Sequence, residues 1–125
     1  PMLISCQSFG FRNGLPQDAD LVFDVRCLPN PYYVPELKEH DGTEGPVRDY
    51  VMNAPESHEM LQKLEELLVF SIPLYQREGK SQLVVAVGCT GGRHRSVAIA
   101  CQLAAYLRSL GYRVELSHRD KDNRR

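Results

Sequence analysis

The hydrophobic and polar positions of this chain alternate between two periods. MLISCQSF (2–9) mixes apolar and polar residues of β-favouring type and predicts a first strand. GFRNGLPQDAD (10–20), with two glycines and a proline, predicts a turn-rich connection. LVFDV (21–25) is short and almost unbroken in its apolar character, as expected of a central strand in a parallel sheet. The prolines of PNPYYVP (29–35) exclude an α-helix, so a loop should leave the second strand. Residues 36–53 are polar and contain Gly42, Gly45 and Pro46. Then Met60, Leu61, Leu64, Leu67, Leu68, Ile72 and Tyr75 recur at helical spacing, predicting a long amphipathic helix over 54–78 that Gly79 ends. A third strand is predicted over 82–88. An uncharged helix should run from Ser96 to Leu107 and stop at Gly111, with a fourth strand over 112–116. SHRDKDNRR (117–125) is expected to fray.

Apolar strands alternating with helices, joined by crossovers long enough for right-handed units, predict an α/β fold. The expected architecture is a three-layer helix/sheet/helix domain over 1–125, with a small, mostly parallel central sheet of about four strands. Ligands of such sheets bind beyond the carboxyl ends of the strands. The loops over 24–33 and 88–94 should therefore share one rim.

Length and composition are those of a single ordinary domain: 125 residues, 42% hydrophobic and 25% charged. No apolar run approaches the roughly 18 to 20 residues that span a bilayer. Arg12 follows the first apolar segment instead of preceding it, unlike a secretory signal, so a cytoplasmic protein is expected. Cys6, Cys27, Cys89 and Cys101 form no CxxC pair, and reduced thiols are expected. The net charge of −1 hides an asymmetry: residues 36–66 carry nine acids against three bases, and residues 89–125 carry eight bases against three acids. A basic last third suits nucleic acid or a phosphorylated ligand, although solvated helix faces account for it equally well.

The most informative segment is GCTGGRHRS (88–96), where an apolar strand empties into a glycine-bearing loop that opens a helix. Such a junction aims unpaired N–H groups, and the positive end of a helix dipole worth roughly half a unit charge, at one spot. Gly91 and Gly92 permit close backbone approach, Thr90 and Ser96 add hydroxyls, and Arg93 and Arg95 offer planar forks matched to phosphate. His94 is expected to donate a hydrogen bond or cap the helix. Asp24 and Arg26, at the end of the second strand, form either an internal ion pair or a ligand-orienting pair. Asn30 lies on the same rim, and Tyr32 with Tyr33 could be core or a stacking surface.

The same loop allows an enzyme reading. Cys89 and Arg95 stand in the C-x5-R spacing of cysteine-dependent phosphatases, and FDVR (23–26) with the later cysteine loop also resembles rhodanese-type sulfurtransferases, one residue longer here. Neither Asp24 nor Asp41 is marked as the general acid a phosphatase needs. Cys89 as a small buried residue at a strand end is the preferred reading, with no catalytic residue assigned. No G-x-x-x-x-G-K-[ST] string occurs, and no second ligand stands at metal spacing from His94, so neither an NTPase, a metal nor a cofactor is expected.

Three ordered motifs, FDVRCLPNPYY (23–33), GCTGGRHRSV (88–97) and VELSHRDKD (114–122), resemble the C-terminal domain of the RapZ (YvcJ-like) family over nearly the whole chain. The resemblance implies a phosphofructokinase-subdomain-like fold. It also implies a regulatory RNase adapter that senses glucosamine-6-phosphate and binds RNA. An N-terminal P-loop nucleotide-binding domain, absent from this sequence, belongs to the same picture and would carry any ATPase or GTPase activity. Carried onto matching positions, the sugar phosphate falls on Thr90, Gly91 and Arg95. A histidine ligand of the family falls at Tyr32, where NPYY replaces NPHW; tyrosine bonds and stacks but does not become cationic. The RNA-contacting end corresponds in character to Arg119, Lys121, Arg124 and Arg125, diluted by Asp120 and Asp122, and Arg113 and His118 join them as expected RNA contacts. The expectation is thus a non-catalytic binder of a phosphorylated sugar, or of inorganic phosphate or sulfate, and of RNA. It is expected to be a homo-oligomer away from membranes, with the uncharged helix 96–107 either a subunit interface or a central buried helix.

Overall fold

A computed structural model describes residues 1–123. In chain order it contains β1 (Leu3–Gly10), a 3-10 turn (Phe11–Asn13), β2 (Leu21–Asp24), a second 3-10 turn (Pro31–Tyr33), α1 (Gly45–Met52), α2 (Pro55–Arg77), β3 (Gln82–Cys89), α3 (Arg95–Ser109) and β4 (Arg113–His118). The four strands form one parallel sheet in the order β2-β3-β1-β4. This is the α/β fold with a small parallel sheet that the periodicity predicts.

The second strand is an edge and not the centre of the sheet. β2 pairs only with β3, and its residues alternate, Leu21 and Phe23 packing on the core while Val22 is 42% exposed. The central run is LVVAV of β3, where Leu83 to Val87 are all buried. An unbroken apolar string of four or five residues does not say which of its faces is covered. Residues 36–53 contain a helix that polarity concealed: Pro46 sits in the first turn of α1, where its missing N–H costs nothing, and Val47 and Val51 bury one face. The proline-rich 31–33 segment forms a single 3-10 turn.

One sheet face, built from Ile4, Cys6, Leu83, Val85 and Val87, packs on Leu64, Leu68 and Ile72 of α2 and on Ile99, Leu103 and Leu107 of α3. The layers are unequal. The opposite face is crossed by residues 11–20, which contribute a single 3-10 turn and then bond to β3, Asp20 N–H to Val84 O at 2.9 Å and Val84 N–H to Asp20 Oδ2 at 2.8 Å. The connection from β1 steps across the sheet in the opposite direction to those that follow, so right-handedness sends it over the other face. α3 lies centrally, with Val97 to Ala100, Leu103, Ala104 and Leu107 buried by this chain's own elements, which accounts for the absence of charge between Arg95 and Arg108.

Residues 117–123 pack against the body of the domain. Ser117 and His118 continue β4 beside Gln7 and Ser8, Arg119 N–H donates to Ser8 O at 3.0 Å, and Asp120 is only 6% exposed. The cause is a buried partner that sequence does not display: Asp120 Oδ2 accepts the Gly10 amide at 2.7 Å. The predicted RNA contacts Arg124 and Arg125 lie outside the described residues. All four cysteines are free thiols, three at least partly buried and Cys27 exposed.

Candidate anion-binding site

β3 delivers the chain at Cys89, and α3 starts at Arg95, so Thr90 to His94 form the turn between strand and helix. Glycine is required twice in this packing. A Cβ on Gly10 would lie 2.4 Å from the Gly91 carbonyl carbon, and one on Gly92 would lie 2.5 Å from the Gly10 nitrogen, with Gly92 also at φ +82°. The end of β1 and the loop thus touch backbone to backbone. Arg12 N–H donates to Thr90 O at 3.1 Å and completes the contact.

Beside the turn lies a cavity of about 440 Å³, within the size range of small-ligand pockets. Thr90, Gly91, Arg93, His94 and Arg95 line it together with Asn30, Tyr32 and Tyr33 from the loop after β2. The expected common rim of the two loops is therefore present. Gly92 and Ser96 are not on the wall. Ser96 is buried, and its Oγ lies 3.1 Å from Cys89 Sγ, so both residues support the turn from behind.

Arg95 holds the rim together. It is 4% exposed; Nη1 donates to the carbonyls of Arg26 and Leu28, and Nη2 donates to Thr90 Oγ1 at 3.3 Å. Its Nε is buried with no partner among the described residues. Nor does any carboxylate pair with Arg93 or Arg95 there. Among the described residues the hydrogen bonds of this buried cation go to carbonyls and one hydroxyl, the Asp24 carboxylate acts on it without direct pairing, and an anion in the cavity would pair with it. The N–H groups of Gly91 to Arg95 also make none of the loop or turn backbone hydrogen bonds among the described residues.

The neighbouring cations behave differently. Arg93 spends its fork on backbone, Nε donating to Lys121 O at 2.9 Å and Nη2 to Glu39 O at 3.2 Å. His94 is the N-cap residue by position but makes no side-chain cap; its Nε2 donates to Lys38 O at 3.1 Å. Burial, assisted by the charges of Arg93 and Arg95, lowers its pKa and keeps the ring neutral. Asp24 and Arg26 form a bidentate, half-exposed ion pair with contacts of 2.7 and 3.0 Å. The Arg26 hydrogen bond holds the Asp24 carboxyl below its ordinary value, and the Arg26 guanidinium also stacks 3.9 Å over Phe11. Neither side chain lines the cavity; Arg26 serves the rim through its carbonyl.

Asn30 Oδ1 accepts the Tyr32 amide at 3.0 Å and caps the second 3-10 turn, which presents Tyr32, 50% exposed, to the cavity. Lys38 Nζ sits 4.6 Å from the Tyr32 ring centre, and Tyr33 meets that ring edge-on at 5.6 Å. Arg12, Lys38, Glu39 and Asn123 line the same cavity. No sequence signal marks these four, because they come from loops that only the tertiary fold brings together.

Cys89 is 2% exposed and touches the cavity from its floor. Among the residues assigned to RNA, Arg113 is exposed on the β4 edge. The other three described ones are engaged within the chain. His118 Nδ1 bonds Ser8 Oγ at 2.7 Å, Arg119 donates to Gly14 O at 2.7 Å and pairs with Asp120 at 2.9 Å, and Lys121 faces Asp41 at 3.8 Å and Asp122 at 3.3 Å. No cluster of three or more His, Cys, Asp or Glu is placed to hold a metal among the described residues, and no described helix is long and apolar enough to cross a membrane.

Comparison with known proteins agrees with the three motifs. A nucleotide-binding protein of Alkaliphilus oremlandii is 59% identical over 121 residues, covering 97% of this chain and 42% of its own length. Nucleotide-binding proteins of Geobacter sulfurreducens and Clostridium acetobutylicum are 55% and 54% identical, covering 98% and 95% of the chain but 43% and 40% of their own lengths. The chain thus spans less than half the length of these relatives. Residues 2–122 match the model of the RapZ C-terminal domain, and the chain belongs to that family.

Proposed function

We propose that this domain is a non-catalytic sensor that binds a phosphorylated sugar, an amino-sugar phosphate such as glucosamine-6-phosphate, at the 88–96 turn. The observation that carries it is Arg95, a buried guanidinium that among the described residues has no paired carboxylate and an unpartnered Nε, at the wall of a cavity sized for a small metabolite. Phosphate fits the turn's N–H groups, Thr90 Oγ1 and Arg95, and the sugar fits the Tyr32, Asn30 and Lys38 side of the cavity. The low exposure of Cys89 supports binding without turnover.

In this reading the domain also binds RNA through basic residues of its last third and acts as the ligand-reading part of a cytoplasmic, homo-oligomeric regulatory adapter. The nucleotide binding for which its relatives are named is assigned to a P-loop domain in the part of those proteins that this chain does not match, since the chain has no Walker A string. Calorimetry with glucosamine-6-phosphate, glucose-6-phosphate and inorganic phosphate, beside a phosphate-release assay, tests it. Saturable binding with no release supports the sensor; release above a protein-free control replaces it with the Cys89 enzyme.

A further inference from the structure

We infer that Asp120 is a positioning residue of the anion site: it holds the glycine turn in its binding geometry through the Gly10 amide, without touching the ligand. The inference rests on the anion-site reading above. Contacts from β1, Arg119 and the glycine turn converge on this side chain. Its Oδ2 accepts the Gly10 N–H at 2.7 Å in a buried hydrogen bond, and Arg119 donates to the same oxygen at 2.9 Å. The Asp120 Cβ also lies against Gly92, 2.9 Å from where a Cβ of that glycine would stand. Gly10 in turn abuts Gly91, so the chain of contact runs from Asp120 through Gly10 to the turn that lines the cavity.

The segment around Asp120 is fastened on both sides. Arg119 Nη2 reaches Gly14 O at 2.7 Å, Arg93 Nε reaches Lys121 O at 2.9 Å, and Asn123 Nδ2 reaches Asn13 Oδ1 at 3.2 Å. Residues 119–123 thus form a strap packed between the end of β1 and the anion turn. β1 ends at Gly10, where its N–H would otherwise be a buried donor without an acceptor, and such a donor destabilises the local backbone. A turn that loses this support relaxes and presents its N–H groups in scattered directions, and preorganisation for the anion is lost. Burial alone would raise the Asp120 carboxyl, but the bonds from Arg119 and Gly10 hold it below its ordinary value.

The test combines amide hydrogen exchange of the ligand-free protein with calorimetric titration of inorganic phosphate. In Asp120→Ala, exchange at 90–94 and at Gly10 should accelerate by about tenfold or more, and phosphate affinity should fall by about fivefold, while β3 and α3 core amides keep their protection. Asp120→Asn keeps an oxygen acceptor for Gly10 and should stay within about threefold of the wild type in both. Unchanged exchange at the turn in Asp120→Ala overturns the inference. So does equal acceleration of the core, or an Asp120→Asn variant as impaired as Asp120→Ala. If Asp120→Ala does not fold, Asp120→Glu, which displaces the acceptor by one methylene, is read by the same outcomes. A wild type that binds no phosphate would refute the anion site, whereas the ligand-free exchange would still decide the role of Asp120.

Discussion

Arg95 Nη2 donates to Thr90 Oγ1 at 3.3 Å, tying the first residue of α3 to the residue that follows β3. The same guanidinium reaches the carbonyls of Arg26 and Leu28, so a single side chain joins the two loops at the carboxyl ends of β2 and β3. Charge-assisted hydrogen bonds to an anion are worth about 1.5 to 3 kcal/mol, so Arg95→Ala should weaken phosphate or sugar-phosphate binding about tenfold or more. Arg95→Lys keeps the charge but not the fork and should recover only part of the loss. An unchanged dissociation constant in calorimetry would remove Arg95 from the site.

Cys89 separates sensor from enzyme. Its thiol is nearly buried and hydrogen-bonded with Ser96 Oγ at 3.1 Å. Cys89→Ser should leave sugar-phosphate binding within about threefold, and iodoacetamide should label exposed Cys27 well before Cys89. Fast labelling of Cys89, joined to phosphate-ester hydrolysis that Cys89→Ser abolishes, would establish the C-x5-R chemistry instead.

Gly92→Ala puts a side chain at φ +82° and against the Gly10 backbone. We expect a loss of stability of about 2 kcal/mol or more, from backbone strain and the clash together, read as an earlier midpoint in urea unfolding. Gly91→Ala meets, among the described residues, just the Arg12 side chain, at 3.8 Å, and should be far milder. Equal midpoints for the two variants would contradict the packing described.

His94 and His118 set the pH response. Burial lowers both pKa values below the ordinary 6.5, so the unfolded chain binds protons that the folded one refuses. Stability should therefore fall as pH drops below about 6.5, by at most about 1.4 kcal/mol per pH unit for each histidine, until the folded-state values are passed. Asp24, Asp41 and Asp120, held below the ordinary 3.8, lose their stabilising contribution only at more acid pH. Urea midpoints at pH 7.5, 6 and 5 should decline, and His118→Asn should flatten the decline; a flat profile in the wild type would count against neutral buried rings.

If RNA binds, the exposed Arg113 is the cleanest probe, because Arg119 and Lys121 also hold the chain together. Each neutralised phosphate contributes a slope of roughly −0.7 in log affinity against log salt on single strands, so Arg113→Gln should reduce the slope by about that amount and leave phosphate titrations unchanged. A slope that does not change places the RNA surface elsewhere.

Much of the molecule is legible in its sequence. The LVVAV run, the helical spacing of Leu64, Leu68 and Ile72, and the glycines after the helices carry their own local instruction, because period and backbone freedom are properties of neighbouring residues. The strand-to-helix turn at 88–96 is legible for the same reason, since its donors, glycines and arginines are consecutive. Tertiary structure alone decided that β2 is an edge, that Pro46 opens a helix, and that Arg12, Lys38, Glu39 and Asn123 meet the turn in one cavity. It also turned Arg93 from a phosphate fork into a backbone tie, and the acid that dilutes a basic tail into the acceptor for Gly10. Those outcomes depend on which polar groups lie within hydrogen-bond reach after the chain has closed over about a hundred residues, and local pattern carries no record of such pairings.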